Sequence, residues 1–209
     1  MLPQFIFSRS KAIFSLYFAP KQHLKTKKAI LLIPPFAEEM NKSRKMLVNF
    51  ARRSAENGVA AMVVDLYGTG DSEGDFADAS WLQWLSDIES CYLWLKNRDT
   101  FEHIEFLSLR TGALLALDFM HKFENYKVSK LIQWQPVING QLFIGQFLRL
   151  RLAASMMGAA GDKETLADMK QLMTAEGKIE IAGYMLNSAL IESIELLNFT
   201  KMKSLKWCI

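Results

Sequence analysis

Cysteine, histidine, long apolar runs and an excess of either charge are what this chain lacks. Its 209 residues hold two cysteines and three histidines. Cys91 and Cys208 are too few and too far apart for a disulfide framework or a zinc site. Cys91 also falls on the apolar stripe of a helix, which predicts a small core residue. That usage suggests a reducing, cytoplasmic compartment, and neither a metal nor a cofactor is expected. No run approaches the ~20 apolar residues of a membrane helix. Ser8-Arg9-Ser10-Lys11 splits the N-terminal apolar segments, so no signal-peptide core forms. A net charge of +3 is too small to argue for nucleic acid. The one basic cluster, Lys21, Lys25, Lys27 and Lys28 around His23, has no interleaved aromatics and reads as a solvated loop. A nucleotide enzyme is disfavoured as well. Gly68-x-Gly70-x-x-x-Gly74 misses the G-x-G-x-x-G spacing, no helix opens directly after it, and no G-x-x-x-x-G-K-[ST] occurs.

What is present is an ordinary globular composition, half hydrophobic, in a chain long enough for one sizeable domain with a small subdomain. Gln4–Phe7 and Ala12–Phe18 read as a β-hairpin. Ala29–Ile33 is a short apolar run ended by Pro34-Pro35, as expected of a strand buried on both faces. A loop over Phe36–Met40 should then lead to a helix from about Ser43 to Glu56, with Met46, Leu47 and Phe50 on its buried face and Asn57-Gly58 as its stop. Val59–Leu66 is a second buried strand. Ser80 and Gln83 form a capping box for a helix carrying Trp81, Leu85, Ile88, Tyr92 and Leu95 at core spacing. Lys130–Trp134 reads as a fourth buried strand. Alternating strands and helices predict a mostly parallel sheet covered on both faces, with function in the loops at the strands' carboxyl ends.

Beyond Asn139 the texture turns helical. Phe143, Phe147, Leu148, Leu150 and Leu152 mark one helix, Met156 to Gly161 a flexible joint, Asp162–Thr174 a second helix, Lys178–Ala182 a short strand and Ser188–Leu197 a third helix. The expected division is a core over 1–136, a helical lid-like region over 137–200, and a stub over 201–209.

Ile104 to Leu109 breaks sharply at Arg110-Thr111-Gly112, and an apolar helical pattern starts at once. Strand, tight turn and helix are the layout of a nucleophile elbow. Laid over G-x-S-x-G, Ser108-Leu109-Arg110-Thr111-Gly112 keeps the last glycine and puts arginine where the nucleophile stands. Ser108 lies within the strand and is expected to point into packing.

Three stretches together resemble the α/β-hydrolase superfamily: Asp65-Leu-Tyr-Gly68-Thr-Gly70-Asp-Ser72, the loop Pro34-Pro35-Phe36, and the elbow. The longer run Ile33-Pro-Pro-Phe-Ala-Glu-Glu-Met-Asn-Lys-Ser-Arg44 closely resembles the exosortase A system-associated hydrolases of the second type, a branch encoded beside bacterial exosortase machinery. The resemblance runs from the hairpin to about residue 197 and includes an arginine at the elbow. It implies an α/β-hydrolase fold, hydrolytic activity on an ester, thioester or other acyl group, and a protein partner in the exosortase system. In that fold a triad runs Ser, acid, His along the chain. None of His23, His103 and His121 follows the lid region, and each reads as structural or exposed, so no residue is assigned as catalytic. Roughly 50–80 further residues are expected in a complete fold of this class, so the end at Ile209 suggests truncation or decay.

Phe36 and Thr111 are the expected oxyanion-loop residues, through their backbone N–H groups. Arg110 would stand at a helix N-terminus, an anion-binding place, with Glu38 or Glu39 within reach. Two readings of Arg110 stay open: a structural pair with one of these glutamates, or a clamp for an anionic or acyl ligand.

Overall fold

The computed structural model describes residues 1–98, 101–157 and 165–200. Two strands, β1 (Leu2–Ser8) and β2 (Lys11–Phe18), open the chain as an antiparallel hairpin. Its turn residues Arg9 and Ser10 both have positive φ, 48° and 67°, the conformation that matches a two-residue turn to the strands' right-handed twist. Next come β3 (Lys28–Ile33), α1 (Ala37–Glu56), β4 (Ala60–Val64), α2 (Trp81–Arg98), β5 (His103–Leu109), α3 (Gly112–Lys122) and β6 (Val128–Trp134). The sheet order is β1-β2-β4-β3-β5-β6, with β4, β3, β5 and β6 parallel and β2 antiparallel to β4.

Helix α1 covers one face, where Leu47, Ala51 and Ala55 pack on Leu32, Val63 and Leu107. Helices α2 and α3 cover the other. Their Trp84, Leu85, Ile88, Leu114 and Phe119 share a cluster with Leu31, Ile33 and Phe106. Strands β3 and β4, each flanked on both sides, are deeply placed: Leu31, Leu32 and Ile33 are fully buried, each contributing about 2 kcal/mol of hydrophobic stabilisation. A second layer follows, α4 (Gly140–Met157), α5 (Leu166–Glu176), β7 (Lys178–Ile181), β8 (Tyr184–Asn187) and α6 (Ser188–Glu195). Its Phe143, Phe147, Ile191 and Ile194 belong to the same apolar cluster as the α2/α3 face. No described helix is long and apolar enough to cross a membrane.

Four expectations need correction. Helix α1 starts at Ala37, not near Ser43, so Glu38 and Glu39 sit in its first turn, where the helix dipole favours acids. Ser43 is buried mid-helix and donates to Met40 O. Met46 is 43% exposed; the buried stripe instead runs Met40, Ser43, Leu47, Ala51, Ala55. Gln83 N–H donates to Ser80 Oγ, but the Gln83 amide turns to Ser8 and Asp87, so the cap is half a box. Strand β6 is not buried on both faces: none of its residues is fully buried, and among the described strands it pairs with β5 alone. Strand β8, which closes a hairpin on β7 through Ala182-Gly183, was not foreseen. Most of the expected joint, and the stub over 201–209, lie outside the described residues.

Candidate functional site

The carboxyl ends of β3, β5 and β6 meet at Arg110. This residue has φ 51°, the left-handed backbone an elbow demands and one that a residue with a Cβ adopts only under constraint. The constraint is visible. Arg110 N–H donates to Trp134 O at 3.1 Å, and Arg110 O accepts from Val137 N–H at 3.0 Å and Ala113 N–H at 3.0 Å. Two neighbours are equally unusual: Ala37, after β3, has φ 55°, and Gln135, after β6, has φ 42°. Gly112 lets β3 and α3 approach, since a Cβ there would lie 2.5 Å from Ile33 O and 2.7 Å from Pro34 O.

The Arg110 side chain reaches back across the cleft. Its Nε donates to Glu39 Oε1 at 2.9 Å, and an Nη donates to Gln135 O at 3.3 Å. Guanidinium and carboxylate are each about one-third exposed (33% and 37%), so this pair is worth far less than a buried one. Glu39 Oε2 is enclosed and accepts no hydrogen bond from a described residue. Glu38 points elsewhere: it lies 3.3 Å from Lys42 and 3.5 Å from the Tyr184 hydroxyl.

Phe36 and Thr111 do come together, through the threonine side chain rather than as two free N–H donors. Phe36 N–H donates to Thr111 Oγ1 at 3.4 Å, so the threonine hydroxyl occupies one expected oxyanion donor. That distance marks a weak bond. The Phe36 ring is 4% exposed and sits 5.6–5.9 Å, centroid to centroid, from Phe76, Trp84, Phe143 and Phe147. Only a cavity of about 10 Å³ remains beside it, against Trp81, Thr111 and Leu115. Such a space holds about one water.

The glycine loop proves to be a brace. Asp65 Oδ1 accepts from Arg44 at 2.6 Å and Oδ2 from Asp71 N–H at 3.0 Å. Ser72 Oγ donates to Asp65 O and accepts from Phe14 N–H at 2.8 Å, tying the loop to the hairpin. Gly70, at φ 55°, leaves room for the carboxylate, which a Cβ would meet at 2.1 Å. The long run 33–44 thus radiates from the start of α1: Glu39 to the elbow, Asn41 to the Tyr184 hydroxyl at 2.7 Å, and Arg44 to Asp65. Ser108 is fully buried and donates to Ile132 O at 3.4 Å, and His23, His103 and His121 are exposed. No described group of His, Cys, Asp and Glu is arranged to hold a metal ion.

Burial lifts the carboxyl of Asp65 above the ordinary value of 3.8, against the pull of the Asp71 N–H and Arg44. It lifts Asp87 likewise, against the Tyr67 N–H, Ser8 and Gln83. The folded chain therefore keeps these protons to higher pH than the unfolded chain. Their contribution to stability is present below the unfolded value and is lost as pH rises through the raised folded one. Asp87→Asn removes one such titration. In urea unfolding from below to well above pH 3.8, wild-type stability minus variant stability should fall as pH rises. A flat or rising difference would contradict this assignment.

No family model and no curated protein matches the chain. Solved structures do. Est1E from Butyrivibrio proteoclasticus, solved with ferulic acid bound, is 17% identical with a TM-score of 0.63, over 93% of this chain and 71% of that one. Alpha/beta hydrolase domain-containing protein 10 from mouse is 16% identical with a TM-score of 0.60, over 93% and 70%. An α/β serine hydrolase homologue from Coxiella burnetii is 16% identical with a TM-score of 0.55, over 93% and 94%. The likeness fixes the fold: this is a protein of the α/β-hydrolase fold, a mostly parallel sheet with helices on both faces.

Proposed function

We propose that the protein is a hydrolase of the exosortase-associated type, acting on an ester, thioester or related acyl group at the elbow, with Arg110 in the nucleophile's place. The observation that carries this reading is that Ala37, Arg110 and Gln135, three non-glycine residues just after the adjacent strands β3, β5 and β6, are all held left-handed. Such backbone costs about 1–3 kcal/mol per residue and persists where the surroundings over-determine it, as at functional sites. An eroded site would be under no pressure to keep all three. In this reading Arg110 polarises the acyl carbonyl, and the weakly engaged Phe36 N–H exchanges Thr111 Oγ1 for the developing oxyanion. The Glu39 carboxylate, exposed over about a third of its side chain, takes a proton from the attacking water, whose oxygen bonds to the acyl carbon. The carbon–oxygen or carbon–sulfur bond then breaks, and the proton passes to the leaving group.

A second reading, a non-catalytic protein that binds an anionic or acyl ligand or an exosortase-system partner, is favoured by two observations. The Phe36 N–H is already occupied, and the aromatic cluster leaves about 10 Å³.

Turnover of a panel of short- and long-chain esters and thioesters by wild type, Arg110→Ala, Arg110→Ser and Glu39→Gln separates them, with circular dichroism confirming each fold. Hydrolysis predicts wild-type turnover that falls at least about a hundredfold in Arg110→Ala and also in Glu39→Gln. A folded wild type without turnover, yet saturable by an acyl carboxylate in an Arg110-dependent way, establishes the binding reading instead.

A further inference from the structure

A second surface lies on the opening hairpin, and it rests on neither reading of the elbow. In β1, Pro3, Phe5 and Phe7 are exposed while Ile6 and Ser8 are buried, the alternation of a strand covered on one face. Opposed residues of an antiparallel pair share a face. Phe5 therefore stands beside Phe14, edge to face at 5.5 Å, and Phe7 beside Ala12. Further along β2 the same face carries Leu16 and Phe18, which pack with Leu47, Ala51 and Ala55 of α1. Helix α1 covers that inner end and leaves the outer end open: Phe5 is 59% and Phe7 72% exposed. No other phenylalanine, tyrosine or tryptophan among the described residues is exposed. The hairpin forms the sheet edge opposite β6, with β4, β3 and β5 between them, so nothing that pairs with β6 reaches it.

Charge is segregated in the same part of the chain. Residues 1–28 contain Arg9, Lys11, Lys21, Lys25, Lys27 and Lys28 and no aspartate or glutamate. Taking those six from the chain's 25 basic residues leaves 19 against 22 acidic ones, so a segment of +6 is joined to a body of −3. Several of these cations rim the aromatic face. Arg9 is exposed in the hairpin turn, two residues from Phe7. Lys21 N–H donates to Ala55 O at 3.0 Å and Thr26 N–H to Gly58 O at 2.8 Å, which fastens the loop after β2 to the end of α1, on the same side of the sheet. Lys21 and Lys25 are exposed there, and the last turns of α1 add exposed Arg52 and Arg53 against Glu56. Lys11 and Lys27 are already bridged, to Glu73 and Glu102.

We infer that the hairpin rests on an anionic lipid surface, with Phe5 and Phe7 inserted at the boundary of headgroups and acyl chains and Arg9, Lys21 and Lys25 on the headgroups. The two halves of the surface select the occupant together. Open apolar rings rimmed by lysine and arginine are the composition of an interfacial anchor, and clustered cations beside it are drawn to anionic lipid. A nucleic acid would use the cations but has no apolar layer to receive the rings. A second copy related by a two-fold axis would cover the rings but set like charges against each other. No described helix is long and apolar enough to cross a membrane, and two rings with a few cations make a peripheral, reversible contact.

The test is co-sedimentation of the full chain with vesicles of phosphatidylcholine alone and of phosphatidylcholine mixed with phosphatidylserine, with a DNA duplex as comparison. Expected results are binding to the anionic vesicles, weakened by salt, and slowed amide exchange concentrated in the hairpin. Phe5→Thr combined with Phe7→Thr should weaken binding about tenfold or more. Lys21→Glu combined with Lys25→Glu should do the same. All four side chains are exposed and threonine suits a strand, so circular dichroism should show both variants folded. Several outcomes would overturn the inference. They are no binding, equal binding to the two kinds of vesicle, or undiminished binding by the folded Phe5/Phe7 variant, which would mean adsorption by charge alone. Tighter binding of the duplex would also overturn it, as would dimerisation that is lost in the Phe5/Phe7 variant, which would give the face to a second copy.

Discussion

Gly112→Ala should destabilise the fold by about 3 kcal/mol, near the top of the range for a forced steric insertion into a packed interior. The added methyl would stand 2.5 Å from Ile33 O and 2.7 Å from Pro34 O. Both are main-chain atoms at the end of the buried strand β3, so no side-chain rotation relieves the clash. Helix α3 must slide outward, or β3 must bend, and either motion separates Phe36 from Thr111. Urea unfolding measures the loss. Gly145→Ala is the matched control: that glycine lies within α4 with nothing near its Cβ position, so alanine should be neutral or stabilising by up to ~1 kcal/mol. Equal effects at the two sites would mean that the close approach at Gly112 is not a real constraint.

Arg44→Ala should cost about 3 kcal/mol through a different mechanism. Asp65 is 4% exposed at its side chain and Arg44 is 28% exposed, so removing the guanidinium leaves a nearly buried carboxylate facing only the Asp71 N–H. Breaking a buried pair from one side costs about 3–5 kcal/mol; the partly exposed arginine sets the expectation at the lower end. Adding Asp65→Asn should recover part of the loss, because the second change removes the charge the first one stranded. Lys42→Ala, which breaks the exposed pair with Glu38, should change stability by less than about 0.5 kcal/mol. An Arg44→Ala loss as small as that of Lys42→Ala would refute the brace between α1 and the glycine loop.

The strands and the α2 helix were legible because their patterns are strong. The apolar runs at 29–33 and 104–109 and the stripe Trp81, Leu85, Ile88, Tyr92 and Leu95 all become core. The elbow could be read from a strand, a three-residue break and a helix. Its strain could not, since nothing in the letters Ala37 or Gln135 announces a left-handed backbone. The start of α1 was misplaced because Pro34-Pro35 and paired glutamates look like a loop, while the helix begins without any side-chain cap. The partial exposure of β6 is not legible in its apolar run, which does not say how many neighbours a strand has. The hairpin partner β8 was hidden because Ala-Gly is a weaker turn signal than Asn-Gly. The long run 33–44 is distinctive as a string of letters, but its contacts with the elbow, Tyr184 and Asp65 exist only in three dimensions.

The opening hairpin has a consequence in time. Its strands meet across a two-residue turn, and such local pairings form in about 1–10 μs. What covers it arrives much later. Tyr17 packs edge to face on Trp94 at 5.1 Å, and the Phe14–Ser72 bond spans 58 residues. At roughly 5–20 residues per second of ribosomal synthesis, α2 is complete several seconds after β2. Through that interval Ile13 and Tyr17, fully buried in the finished fold, stand in water on the nascent chain. The danger of misassociation is therefore greatest while residues 18 to 98 are being made.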